Sequence, residues 1–86
     1  MNSKEYRNFL TMVLHENGVK LDFADDDRII SVTPDDPHVD LSYSVVNGEL
    51  SYIHLKDEDI EILYDATSEL TKLMIVHGRT MHTAEF

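Results

Sequence analysis

Cysteine is absent from this chain of 86 residues. That excludes disulfides, thiolate metal sites and a cysteine nucleophile, and it suits a reducing compartment. Tryptophan is absent too, and with two prolines and three glycines the chain has little material for long flexible linkers. No apolar run approaches the roughly 18 residues of a membrane span. The first residues, Met1-Asn2-Ser3-Lys4-Glu5, are polar and contain no signal-peptide apolar core. The expectation is a soluble, cytoplasmic protein.

Basic residues are also scarce. Seven lysines and arginines stand against seventeen acids, a formal charge of −10. The imbalance is local: residues 22–69 hold fourteen acids and only Arg28 and Lys56 as bases. Direct nucleic-acid binding needs a basic face, and anionic membrane needs one as well. The charge therefore points to a basic protein partner, while plain solubility explains it equally well.

What is present is a core's worth of apolar residues, 42% of the chain. A chain this short buries only about 60–65% of its unfolded surface, so a single thin domain over residues 1–78 is expected. Tyr6, Phe9, Leu10, Val13 and Leu14 fall at helical spacing. Asn2 or Ser3 is placed to cap that helix, with Glu5 completing a capping box after Asn2, and Asn17-Gly18 ends it. The period then becomes two. Residues 19–23 and 28–33 read as a hairpin around Asp25-Asp26-Asp27, ended by Pro34-Asp35-Asp36-Pro37. Residues 38–46 read as a third strand.

Asn47-Gly48 favours a two-residue type I′ turn. It pairs Val45 with Leu50, Tyr43 with Tyr52 and Leu41 with His54. Ile60, Leu63, Ala66, Thr67, Leu70, Leu73, Met74 and His77 then share one side of a second helix begun by Asp57-Glu58-Asp59 and stopped at Gly78, leaving 79–86 as a loose tail. The predicted fold is α+β: a two-layer, four-stranded antiparallel meander with N- and C-terminal helices packed on one face, in the order α-β-β-β-β-α.

On that second helix Glu58, Glu61, Asp65 and Glu69 form one acidic stripe. Asp25, Asp26, Asp27, Asp35 and Asp36 in the loops, with Asp40 of the third strand, are expected to extend it into a docking surface. One sharp form is DNA mimicry, with carboxylates in place of phosphates. The helix alone spaces its charges ~5 Å apart, against ~1.7 Å along duplex DNA, so the loop acids must contribute. The segment 48–73, and Ile60-Glu61-Ile62-Leu63-Tyr64 in particular, resembles small acidic phage-encoded inhibitors such as the uracil-DNA glycosylase inhibitors. That resemblance implies an antiparallel sheet with an acidic helical surface and a phage or mobile-element regulator. It transfers no residue roles.

The second candidate is the sheet face away from the helices. The turn register puts Val46, Ile53 and Leu55 there, joined by Ile29, among Ser42, Ser44 and Ser51. A weakly charged, partly apolar face of this kind suits a homodimer or another partner.

Sites for chemistry are not apparent. His15, His38, His54, His77 and His82 make no zinc-binding spacing. The acidic runs lack the alternate spacing and central glycine of a calcium loop. No nucleophile elbow and no glycine-rich phosphate loop occurs. The expectation is a non-enzymatic module without metal or cofactor.

Overall fold

The computed structural model describes residues 3–26, 28–36 and 38–85. The Asn2 cap, Asp27 and the Tyr6 side chain lie outside what is described. The chain divides into two compact units, Met1–Pro37 and His38–Phe86. Among the described residues no helix is long and apolar enough to cross a membrane.

The first unit holds helix α1 (Ser3–Glu16) and strands β1 (Val19–Phe23) and β2 (Ile29–Pro34). Leu10 and Leu14 lie one helical turn apart and are buried, at 2% and 0% exposure. Gly18 closes the helix at φ 80°, a conformation that a Cβ would strain, and its N–H reaches the His15 carbonyl at 3.2 Å. β1 and β2 pair antiparallel with Val19 opposite Pro34 and Leu21 opposite Val32. Val19, Leu21, Ile29 and Val32 are all buried.

The second unit is a single antiparallel meander of five strands in the order β3-β4-β5-β6-β7. They are β3 (Asp40–Val46), β4 (Glu49–Lys56), β5 (Ile60–Asp65), β6 (Lys72–His77) and β7 (Thr80–Glu85). This overturns the predicted fold. The described residues are mostly β, with one helix and seven strands in a two-stranded and a five-stranded sheet. Among the described residues there is no four-stranded meander, because β2 and β3 do not pair, and residues 60–85 form strands in place of the C-terminal helix. The tail expected to be loose is the edge strand β7.

The reason is legible in the residues. In β5, Ile60, Ile62 and Tyr64 alternate with Glu61, Leu63 and Asp65, a period of two carried by β-branched and aromatic side chains. The ladder stacks Leu55, Ile62 and Ile75 across three strands, and Ile53, Tyr64 and Leu73 beside them. Ile53, Leu55, Ile62, Leu73 and Ile75 are buried. Each such side chain stabilises the fold by about 1.5–3 kcal/mol through removal from water. Apolar residues also occupy the opposite face, where Leu63 pairs with Met74. That second apolar row blurs the alternation and imitates a helical spacing.

The connection at residues 66–71 is a turn, not a helix interior. Asp65 Oδ1 accepts hydrogen bonds from the Thr67 amide at 2.9 Å and from the Thr67 hydroxyl. The Ala66 amide donates to the Ser51 carbonyl at 2.8 Å. Asp and Thr side chains that bond nearby backbone in this way compete with helix formation.

The β3–β4 hairpin has the predicted two-residue turn, with positive φ at Asn47 (54°) and Gly48 (76°) and with Val46 opposite Glu49. Beyond Val45–Leu50 the register slips. Ser44 pairs with Tyr52, so Ser51 is an extra residue, a β-bulge. Its hydroxyl donates to the Ser44 carbonyl at 3.1 Å. One added residue exchanges the faces of everything that follows. Tyr43 therefore faces Ile53 and Leu41 faces Leu55.

Candidate acidic docking surface

The bulge decides the fate of the predicted partner face. Ile53 is 0% exposed and Leu55 1%, so both belong to the core and not to an open surface. Ile29 is buried as well, and Val46 alone, at 54%, is open. Within the five-stranded unit, Ile53 and Leu55 therefore make no open surface with Val46.

The predicted acidic stripe is also dispersed. Glu58 lies in the β4–β5 connection and Glu69 in the β5–β6 connection, at opposite ends of β5. Glu61 and Asp65 share a face of that strand, separated by ~14 Å at about 3.4 Å per residue. Asp25 and Asp26 sit at the β1–β2 turn, whereas Asp35 and Asp36 follow β2 at the other end of the hairpin. Several of these carboxylates are held by neighbours. Arg28 Nε donates to Asp26 Oδ2 at 2.7 Å. His54 Nε2 lies 2.7 Å from Glu61 Oε2, both groups part-buried. The helical row on which DNA mimicry depended does not exist.

What the sheet does assemble is a smaller cluster at one end. The Asp57 amide donates to the Ile60 carbonyl at 2.9 Å, which closes the β4–β5 turn around Glu58 and Asp59. Asp57 Oδ1 accepts the Glu58 amide at 2.8 Å. The Gly78 amide donates to the Asp59 carbonyl at 2.9 Å, tying this turn to the β6–β7 turn. In the ladder Lys56 stands opposite both Asp40 and Glu61. Asp40, Asp57, Glu58, Asp59 and Glu61 thus meet Lys56 and Arg79 at one end of the sheet. Residues 56–61, with Val76 and Gly78, line an open groove of ≈ 240 Å³ there. Asp57, Glu58 and Asp59 are exposed.

Sequence reasoning placed Asp40, Glu58 and Glu61 in an acidic surface and missed Asp57 and Asp59 as its members. The Asp57-Glu58-Asp59 run was the available signal, and it reads as a helix start only if the next segment is helical. Among the described residues, no three of His, Asp and Glu converge as a metal-binding group.

Two carboxyls elsewhere titrate below the ordinary aspartate range. Asp22 is lowered first by the Ser31 hydroxyl, 2.7 Å away, and then by Lys20. Asp65 is lowered by the Thr67 hydroxyl and next by the Thr67 amide. A depressed carboxyl contributes stability that is present above its unfolded pKa and is lost as pH falls through its folded pKa. Thr67→Ala should therefore raise the Asp65 pKa and shrink the loss of stability on the acid side. Carboxyl chemical-shift titration by NMR reads the first directly, and an unmoved Asp65 pKa would refute the assignment.

Comparison with known proteins returned no matching family model, no matching curated protein and no matching solved structure.

Proposed function

We propose that this chain is a small non-enzymatic module that docks on a basic protein through the acidic end of its five-stranded sheet. The observation that carries this reading is the clustering of Asp57, Glu58, Asp59 and Glu61 around one open groove, with Asp40 opposite Lys56 at the same end of the sheet. The chain's −10 charge acts in the same direction by steering a cationic partner towards it. A regulator or inhibitor encoded by a phage or mobile element, acting by occupying a partner's basic surface, is the sharpest form of the proposal.

The test is capture of partners from host lysate at low and high salt, with a charge-reversed variant as control. Exposed charges more than a Debye length apart are screened, and that length falls from ~10 Å at 0.1 M salt to ~3 Å at 1 M. A docking role predicts capture that is lost as salt rises. Capture indifferent to salt contradicts it.

A further inference from the structure

We propose that β3 is a self-pairing edge through which two copies of this chain join their five-stranded sheets. Of the docking surface the proposal touches only Asp40, at the end of the strand. β3 lies at one edge of the meander, where its one ladder partner in the sheet is β4. Its other side presents a row of backbone N–H and C=O groups, the usual template for strand addition. Edges are commonly blunted by lysine, proline or inward-pointing charge. β3 carries no lysine and no proline, its one charge, Asp40, stands at its end, and the extra residue of the Ser51 bulge lies on β4. The eight positions between Asp40 and Glu49 carry no charged side chain, in a chain that is 28% charged.

The sequence of the strand favours a second copy over an unrelated strand. Leu41-Ser42-Tyr43-Ser44-Val45 is nearly mirror-symmetric about Tyr43. Antiparallel pairing across a two-fold axis at Tyr43 sets Tyr43 against itself, Ser42 against Ser44 and Leu41 against Val45, like beside like. A two-fold interface requires this self-complementarity. The same register sets Asp40 opposite Val46, so the two copies' Asp40 residues stand ~20 Å apart and do not repel closely. The side chains are available: Tyr43 is 49% and Val46 54% exposed, and Ser42 and Ser44 are exposed. The other edge, β7, fits less well, because an axis at His82 sets Met81 against Thr83 and Thr80 against Ala84, and an axis at Thr83 sets Met81 against Glu85.

Two chains of charge −10 repel. Salt should therefore strengthen this association, whereas it weakens docking on a basic partner. The two proposals fail separately. Sedimentation equilibrium of the full chain should show a mass rising from 9.9 kDa towards twice that value as concentration rises, and more readily at high salt. Ser42→Lys combined with Ser44→Lys, which opposes lysines in the pair, should hold the mass at the monomer value.

The absence of cysteine makes the register directly testable. Residues facing across an antiparallel pair have Cα atoms about 4.5–5.5 Å apart, within disulfide range. Under mild oxidation Tyr43→Cys should cross-link at least about tenfold faster than Ser44→Cys or Met81→Cys. A chain that stays monomeric at every concentration and salt overturns the proposal and leaves the edge to a strand of a different protein. Preferential cross-linking of Met81→Cys overturns it in favour of β7.

Discussion

Ile53→Asp should unfold the five-stranded unit, while Val46→Asp should leave it within about 0.5 kcal/mol of the parent. Ile53 is fully buried, opposite Tyr43 on one side and Tyr64 on the other. A carboxylate there is left with no cation among its ladder neighbours, and burying an unpaired charge is among the few single changes that cost more than about 4–5 kcal/mol. That is comparable with the whole stability of a small domain, about 5–15 kcal/mol. Val46 is 54% exposed beside the Asn47-Gly48 turn, so its replacement meets water. Chemical denaturation followed by circular dichroism separates the two variants. The contrast reports on the Ser51 bulge, because an unbulged hairpin would turn Ile53 outwards and make Ile53→Asp mild.

Glu58→Lys with Asp59→Lys should lower affinity for a basic partner by about ten- to a hundredfold at low salt and should abolish most of its salt dependence. Both residues sit in the β4–β5 turn, and both are exposed. The turn is closed by the Asp57 amide on the Ile60 carbonyl, and the contact with Gly78 uses the Asp59 carbonyl. The substitution changes none of these backbone bonds, so the fold should persist. Glu61 is a poorer position to test, because His54 is bonded to it. Titration calorimetry across a salt series checks the effect. Parent-like affinity in the doubly reversed variant would move the docking surface elsewhere.

The elements up to Lys56 were legible in the sequence because their local signals are strong and agree with one another. Helical spacing of Phe9, Leu10, Val13 and Leu14 marks α1, period-two alternation marks β1, and Asn47-Gly48 marks its turn. What local pattern does not carry is pairing. Nothing local shows that β2 and β3 lie in different sheets. Ser51 has no bulge signature, since the extra residue is specified by its bonds to Ser44 and Ala66, partners distant in sequence.

From Ile60 onward the sequence is ambiguous in a physical sense. Leu63, Leu70, Leu73, Met74 and His77 satisfy a helical spacing, while Ile60, Ile62 and Tyr64 satisfy a strand. Apolar side chains on both faces of the sheet remove the clean alternation that would decide. The deciding features are the Asp65–Thr67 turn and Gly78, which takes φ 61° at the first loop position of the β6–β7 hairpin. Both read as helix surface and helix stop when the segment between them is taken as helical. The candidate site inherited that error, since four of its carboxylates were aligned only by the assumed helix.

The placement of Glu58, Asp59, Glu61, Asp65 and Glu69 depends on residues 60–85 being three strands. Backbone NMR measures this most directly. The strands put Leu63 beside Met74 and Met74 beside Thr83, so cross-strand proton contacts at those pairs and extended chemical shifts through β5, β6 and β7 are the predicted result. Helical shifts running unbroken from Ile60 to His77, with Leu63 close to Thr67 in place of Met74, would contradict it.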